Sequence, residues 1–209
     1  MAEKTIYLVR HGRTEWNTEK RMQGQMDSPL TEEGHLHAEQ SGQFLAEQGI
    51  EHIFASPLGR VQQTLDHVRR HVDAPVTVDD RLMEWHCGDW SGTLYDDLST
   101  HWPDEWMAWE KDRYGYRPPA AENYDDMIDR CAPALEAILA AEASTIAVLS
   151  HGLLNRALAL QLLGLSASEV LRVRQHNDVI FRIQVGETCS AEHFVAGEGP
   201  YPGLPMASR

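Results

Sequence analysis

The stretch "IYLVRHGRTEWN", Ile6 to Asn17, decides how this chain is read. An apolar run passes directly into Arg10, His11 and Gly12, the pattern of a buried β-strand that ends in a polar loop. Taken alone, a strand-end histidine is ordinarily structural. The arrangement returns far along the chain in "AVLSHG", Ala147 to Gly152, where a second apolar strand runs into His151 and Gly152.

Between and around these echoes, strand-like segments alternate with helical ones. Thr5 to Arg10, His52 to Ser56, Val76 to Leu82, Thr145 to Ser150, Val179 to Val185 and Ala191 to Val195 read as strands. Helices are expected near Thr31 to Gln48, Gly59 to Val72, Tyr124 to Glu142 and Leu153 to Leu163. This alternation predicts an α/β fold. In the first long helix Thr31 is the expected N-cap, Gly49 the C-cap, and Leu36, Phe44 and Leu45 the apolar stripe. The aromatic-rich stretch "WPDEWMAWEKDRYGYRPP" breaks the pattern and reads as an insertion over one face, at about 92–123. From about 197 to 209 a tail rich in Gly and Pro is expected to be irregular.

The 209 residues fit one domain, and 42% hydrophobic with 24% charged residues describes an ordinary globular protein. No apolar run approaches a bilayer span, and the start "MAEK" shows no secretory signal, so a cytoplasmic location is expected. Three scattered cysteines, Cys87, Cys131 and Cys189, argue against a disulfide framework or a CxxC metal site. A net charge of -14 opposes nucleic acid as a partner. Yet Arg10, Arg13, Lys20 and Arg21 gather around the opening stretch, so a locally positive pocket remains compatible with an acidic chain.

In open α/β sheets ligands bind outside the carboxyl ends of the strands. Here those ends offer Arg10 with His11, Arg60 in "SPLGR", Glu84 in "RLMEWHCGDWSG", and His151. Two histidines, two arginines and a carboxylate at one sheet edge form an anion site with candidates for nucleophile and acid. Phosphoryl transfer suits that set, because it depends on positioning and on neutralising phosphoryl charge. Arg10 and Arg60 offer forked donors, and neutral His11 is the candidate to attack phosphorus. His151, if protonated, adds charge, and Glu84 is the candidate to protonate the leaving group. Gly12 and Gly152 allow close backbone approach, and Asn17 is positioned to bond His11 or a phosphate oxygen. No metal or cofactor is required.

At these residues the sequence resembles the histidine phosphatase superfamily, in the branch of cofactor-dependent phosphoglycerate mutase. The elements "RHGRTEWN", "GQMDSPLTEEG", "SPLGRVQQT", "MEWHCGDWSG" and "SHGLLNR" carry the resemblance in that order. It implies a three-layer sandwich with a mostly parallel central sheet flanked by helices and a helical insertion over the active site. It implies further that His11 is phosphorylated, that Glu84 donates the proton, and that Arg10, Arg60 and His151 complete the phosphate pocket. Asn17, Gln23 and Gly24 would line the substrate side, and Asn177 matches a frequent Asn of the family. Mutases of the family carry Glu-Arg-x-Tyr-Gly at the acid loop, whereas this chain has Glu84-Trp85-His86-Cys87-Gly88. "GDWSGTLYDDL" stands closer to phosphatase members, those similar to α-ribazole phosphatase and the broad-specificity phosphatases, although Ala121-Glu122-Asn123 replaces a frequent Gly-Glu-Ser.

The expectation is therefore a phosphomonoesterase, a metal-independent hydrolase acting on a small phosphorylated metabolite. A mutase and a non-catalytic phospho-ligand binder are the alternatives, and homo-oligomerisation is left open. Trp102, Trp106 and Trp109, with Tyr114 and Tyr116, fit either a core stripe at helical spacing or an aromatic wall over the pocket. His67 and His71 lie one turn apart but read as a solvated helix face, and His35, His37 and His52 show no convergent partner.

Overall fold

A computed structural model describes residues 3–207. Its strands are β1 (Lys4–Arg10), β2 (His52–Ala55), β3 (Val76–Val78), β4 (Thr145–Ser150), β5 (Val179–Val185), β6 (Ser190–Val195) and β7 (Glu198–Pro202). They form one sheet in the order β3-β2-β4-β1-β5-β6-β7. The ladders joining β3, β2, β4 and β1 are parallel, and those from β1 through β5 and β6 to β7 are antiparallel. The parallel core is the part that carries the two His-Gly ends.

β1 shows why an unbroken apolar run is needed there. Ile6 and Leu8 point into one hydrophobic cluster, and Tyr7 and Val9 into a second on the opposite face. β4 divides in the same way, with Ile146 and Val148 on one side and Ala147 and Leu149 on the other. Both faces of the central strands are covered, so alternation with polar residues would bury polar groups.

The helices are α1 (Glu15–Glu19), α2 (Glu32–Ala46), α3 (Gly59–Val68), α4 (Leu98–His101), α5 (Pro103–Lys111), α6 (Tyr124–Ala140), α7 (Gly152–Leu163) and α8 (Ala167–Val170). α2 and α3 close one face through Phe44, Leu45, Val61, Leu65 and Val68. α6 and α7 close the other through residues such as Met127, Ile138, Leu154 and Leu158, together with Trp90 and Leu98. The result is the expected three-layer sandwich, with α4 and α5 supplied by the expected insertion.

Several sequence expectations are corrected. Leu36 is 63% exposed and lies outside the buried face of α2, which consists of Gly34, Ala38, Ser41, Gly42, Phe44 and Leu45. Small residues make that face because α2 packs closely on α3. A Cβ on Gly42 would stand 3.1 Å from the Cα of Val68. Gly49, expected as the cap of α2, lies beyond the actual C-cap, Glu47. α3 stops at Val68, short of Val72, and β3 stops at Val78, where Asp79 accepts the Arg81 N–H and starts a 3₁₀ turn over Asp80–Leu82. The tail from 197 is not irregular throughout, because β7 pairs with β6 and Met206 bridges to Val173. Residues 208 and 209 of that tail lie outside the described residues. Among the described residues no helix is long and apolar enough to cross a membrane.

Candidate active site

The register of the central ladder builds the site. Arg10 pairs with Ser150 across β1 and β4, so the residues that follow leave the sheet side by side. The rings of His11 and His151 lie 5.3 Å apart between centroids at 60°. β2, on the other side of β4, ends just before Ser56, whose hydroxyl lies 2.8 Å from His151 Nε2. Arg60 follows in the first turn of α3.

His11 is 3% exposed and is held at three points. Its Nδ1 lies 2.8 Å from the Gly12 carbonyl, which can only accept, so Nδ1 carries the proton. Nε2 then has its lone pair outward and accepts from Arg60 Nε at 3.2 Å. The backbone carbonyl of His11 accepts from Asn177 Nδ2, and the Gly12 N–H donates to Thr64 Oγ1. Burial, then Arg60 and Arg10, hold the imidazole well below its usual titration range, outweighing the Gly12 contact. His11 is thus a neutral, oriented imidazole at neutral pH.

The cations differ in what they can still do. Arg60 is 1% exposed, and its donors already reach His11, the carbonyls of Gly24 and Met26, and Asp27 Oδ1. The forked donation expected of Arg60 is therefore largely occupied. Its charge reaches the cavity while its hydrogen bonds fix the loop from Gly24 to Asp27. Arg10 spends Nη1 on the Gln175 carbonyl, and its Nε is buried without a partner. Burial lowers its pKa to about 10, which still leaves it charged at neutral pH. Gly152 lets it lie close, because a Cβ there would stand 3.3 Å from Arg10 Nε.

Glu84 lies in the loop after the Asp80–Leu82 turn, with its carboxylate against the start of α7. It accepts N–H groups from Trp85, Leu153 and Leu154 at 2.9 to 3.2 Å. The cavity above His11 has a volume of about 200 Å³ and is walled by Arg10, Arg60, Glu84, Asn17, Gln23 and Gly24, with Gly152 at its edge. Of the residues named from sequence, Gly12, Asn177 and His151 are absent from this wall, Gly12 and Asn177 holding the His11 loop. His151 is the more deeply buried histidine of the pair. It lies 0% exposed beneath His11, and burial, Arg60 and His11 hold it well below its usual range. Its ring is uncharged at neutral pH rather than the added cation, with Nδ1 buried and unpartnered. Asn17 uses Oδ1 to accept the Thr14 N–H in the capping box of α1, which leaves Nδ2 as its donor toward the cavity. Gln23 is buried with Oε1 unpartnered, and Gly24 sits at φ +51°, where a Cβ would meet Cys87 Sγ at 2.7 Å. Cys87 borders the cavity as an unreactive thiol, since burial and then Glu84 push its pKa up. Of the four early cations, Arg10 and Arg21 wall this cavity, whereas Arg13 pairs with Glu33.

Sequence reading missed the group that fixes Glu84. Arg130 of α6 holds Glu122 with two hydrogen bonds of 2.7 and 2.9 Å and donates to the carbonyls of Arg81, Met83 and Glu84. Nothing local marks Arg130, since its partners lie far away in the chain. Arg156, one turn beyond His151 in "SHGLLNR", also borders the cavity.

The aromatic stripe divides between its two expected uses. Trp106 and Trp109 pack with Trp90 and Tyr95 at centroid distances of 5.1 to 6.5 Å, as core packing requires. Trp109 and Tyr116 also wall a second cavity, and Tyr114 stacks on Tyr124 at 5.1 Å. The histidines of α2 and α3 also depart from the solvated-face reading. His67 and His71 both bond Glu39, and His35 Nδ1 lies 3.1 Å from His67 Nε2, so the group clamps the two helices together.

A parallel-cored α/β sheet that brings a neutral histidine, buried arginines and a held carboxylate to its carboxyl edge defines the class of phosphate-handling proteins that work through histidine. The sequence model of the histidine phosphatase superfamily (branch 1) matches residues 6–193, and the chain belongs to that family, whose members are phosphatases or mutases. Over 180 residues, 85% of this chain and 83% of the relative, it is 37% identical to probable phosphoglycerate mutase GpmB of Serratia proteamaculans. Among solved structures, a mycobacterial glucosyl-3-phosphoglycerate phosphatase superposes with a TM-score of 0.79 at 25% identity, covering 94% of this chain and 100% of that one. The α-ribazole phosphatase from Shigella flexneri shares the fold, with a TM-score of 0.83 at 21% identity over 98% of this chain and 99% of that one.

Proposed function

We propose that the protein is a phosphomonoesterase that hydrolyses a small phosphorylated metabolite through phosphohistidine at His11. The observation that carries this reading is the neutral His11 ring, with Nδ1 tied to Gly12 and Nε2 turned toward a cavity bordered by Arg10, Arg60 and Glu84. The Nε2 lone pair forms a bond to phosphorus as the phosphorus–oxygen bond to the leaving group breaks. Glu84, carrying a proton, delivers it to the departing oxygen. Water then attacks phosphorus, the phosphorus–nitrogen bond breaks, and Glu84 takes the proton that water gives up. Arg10 stabilises the equatorial phosphoryl oxygens, and the charge of Arg60 assists. The scheme uses no metal.

Replacing His11 with Ala removes the nucleophile, so phosphate release and an acid-labile phosphoenzyme should both disappear. Release retained at the wild-type rate by purified His11→Ala would sink the mechanism.

The mutase reading keeps one observation in its favour, the 37% identity to a relative named as a phosphoglycerate mutase. Against it, Trp85 stands after Glu84, and its indole N–H is donated to the Glu122 carbonyl, so this position offers no cation to a substrate carboxylate. Incubation with 3-phosphoglycerate separates the two. Hydrolysis gives phosphate and glycerate, whereas transfer gives the 2-isomer.

A further inference from the structure

Beside the cavity over His11 lies a larger one of about 380 Å³, and the two share Met22, Trp85, Leu153 and Arg156 as wall. Met22, Trp109 and Leu171 give this cavity apolar lining, and Arg156 from α7 and Arg174 from the loop after α8 give it cationic lining.

The charges on that wall do not cancel. Glu122 also borders the cavity, but Arg130 neutralises it through two hydrogen bonds. Arg113 lies over the Trp109 ring and pairs with Glu110. Arg156 and Arg174 have no ion pair among the described residues. Arg156 Nε is buried with no hydrogen-bond partner, and Arg174 is satisfied only by the carbonyls of Leu171 and Val173 through Nη1. The two guanidinium groups feel each other, since Arg156 adds to burial in lowering the pKa of Arg174. Between α6 and these cations sits the hydroxyl of Tyr124. It is 7% exposed and lies against the Arg156 guanidinium, close enough to interact with it but outside the angles of a formed hydrogen bond.

Two cations without an ion pair line this cavity together with two buried polar atoms, Arg156 Nε and the Tyr124 hydroxyl, that lack a hydrogen-bond partner, and an anionic guest would satisfy these donors and relieve the repulsion between the cations. We propose that Arg156, Arg174 and Tyr124 form a second-anion subsite: the substrate's leaving group spans the apolar lining and ends in a carboxylate or a second phosphate. This rests on the phosphomonoesterase reading of the first cavity and names the class of ester it takes, one with an anionic group at each end.

The test compares 4-(carboxymethyl)phenyl phosphate with its uncharged carboxamide, a pair in which the methylene group keeps the leaving oxygens similar. A bisphosphate of the same ring distinguishes carboxylate from phosphate as the second anion. The wild-type ratio of kcat/KM, charged over uncharged, should be about tenfold or more for at least one anion, as charge-assisted hydrogen bonds imply. Arg156→Met combined with Arg174→Met should bring the ratio close to one, and Arg156→Lys should retain part of it. A wild-type ratio near one for both anions, or a ratio unchanged in the double variant, overturns the subsite. The wild-type comparison stands even if a variant fails to fold. The corresponding phosphonates, measured by calorimetry, separate this proposal from the one beneath it. If no ester is turned over but the phosphonates show the same arginine-dependent preference, the phosphatase reading falls and the subsite stands. If no ester is turned over and the phosphonates show no preference, the subsite falls as well. Hydrolysis without preference overturns the subsite alone.

Discussion

Lowering the pH should weaken the fold through the two buried histidines of the site. His11 and His151 are 3% and 0% exposed, and in both, burial first and Arg60 second hold the ring well below the ordinary value of 6.5. In the unfolded chain each imidazole takes up a proton near 6.5, while in the folded chain it remains neutral. The unfolded state therefore gains protons first, and the stability these rings allow is fully present above pH 6.5 and lost as pH falls below it toward the folded pKa values. Each group costs about 1.4 kcal/mol per pH unit in that window, so at pH 5.5 the pair removes about 3 kcal/mol. For a chain of this length that corresponds to roughly 6 to 12 °C in Tm. Urea titrations in phosphate-free buffer at pH 7, 6 and 5.5 measure it, with His11→Gln and His151→Gln each expected to remove about half of the slope. A flat unfolding free energy across this range, or a double variant that keeps the wild-type slope, would refute the assignment of two neutral buried rings.

Other perturbations read other parts of the molecule. Arg130→Met frees the loop of Glu84 and should cost about 2 to 4 kcal/mol, after allowance for partial exposure of the Arg130–Glu122 pair. Its kcat should fall more for alkyl esters, which need a proton on leaving, than for nitrophenyl phosphate, and an equal fall for both would count against a role through Glu84. Gly12→Ala places a Cβ 2.1 Å from the Gly34 carbonyl, so the His11 loop must move. Phosphate release should drop at least about 100-fold, and near-normal kinetics would contradict the packing described. Glu39 is depressed to about 2 by its bonds to His67 and His71, so the stability it adds is present above about pH 4.5 and lost as pH falls toward 2. Acid unfolding of Glu39→Gln should lack that component, a window separate from the one that reports on His11.

The residues of the candidate site were legible because His11, Arg60 and His151 each sit at a strand end or a helix start, and Glu84 in the loop after β3, in short motifs of their own. His11, Arg60, Glu84 and His151 converge by topology alone once the alternation is read as a parallel-cored sheet. Leu36 was misread because helical periodicity cannot reveal that α2 approaches α3 through Gly42, which moves the buried face onto small residues. β7 was missed because Gly and Pro ordinarily interrupt strands, yet an exposed edge strand tolerates Pro200 and Pro202. The roles of Arg130, Arg156 and Arg174 depend on partners or walls contributed by distant elements, and no spacing in the chain encodes them. The occupied donors of Arg60 are of the same kind, since Gly24, Met26 and Asp27 reach it only through the folded loop.

The pairing of Thr5 with Thr145, continued to Arg10 with Ser150, joins the first strand to one synthesised much later. No partial chain ending before β4 holds both His-Gly corners, and a slip of one residue in that ladder would turn the apolar sets of β1 to the wrong faces. Long-range parallel pairing of this kind forms slowly, because the intervening chain must first be ordered. The site therefore reports on the completion of folding: its two histidines meet only when the middle of the sheet has closed in register.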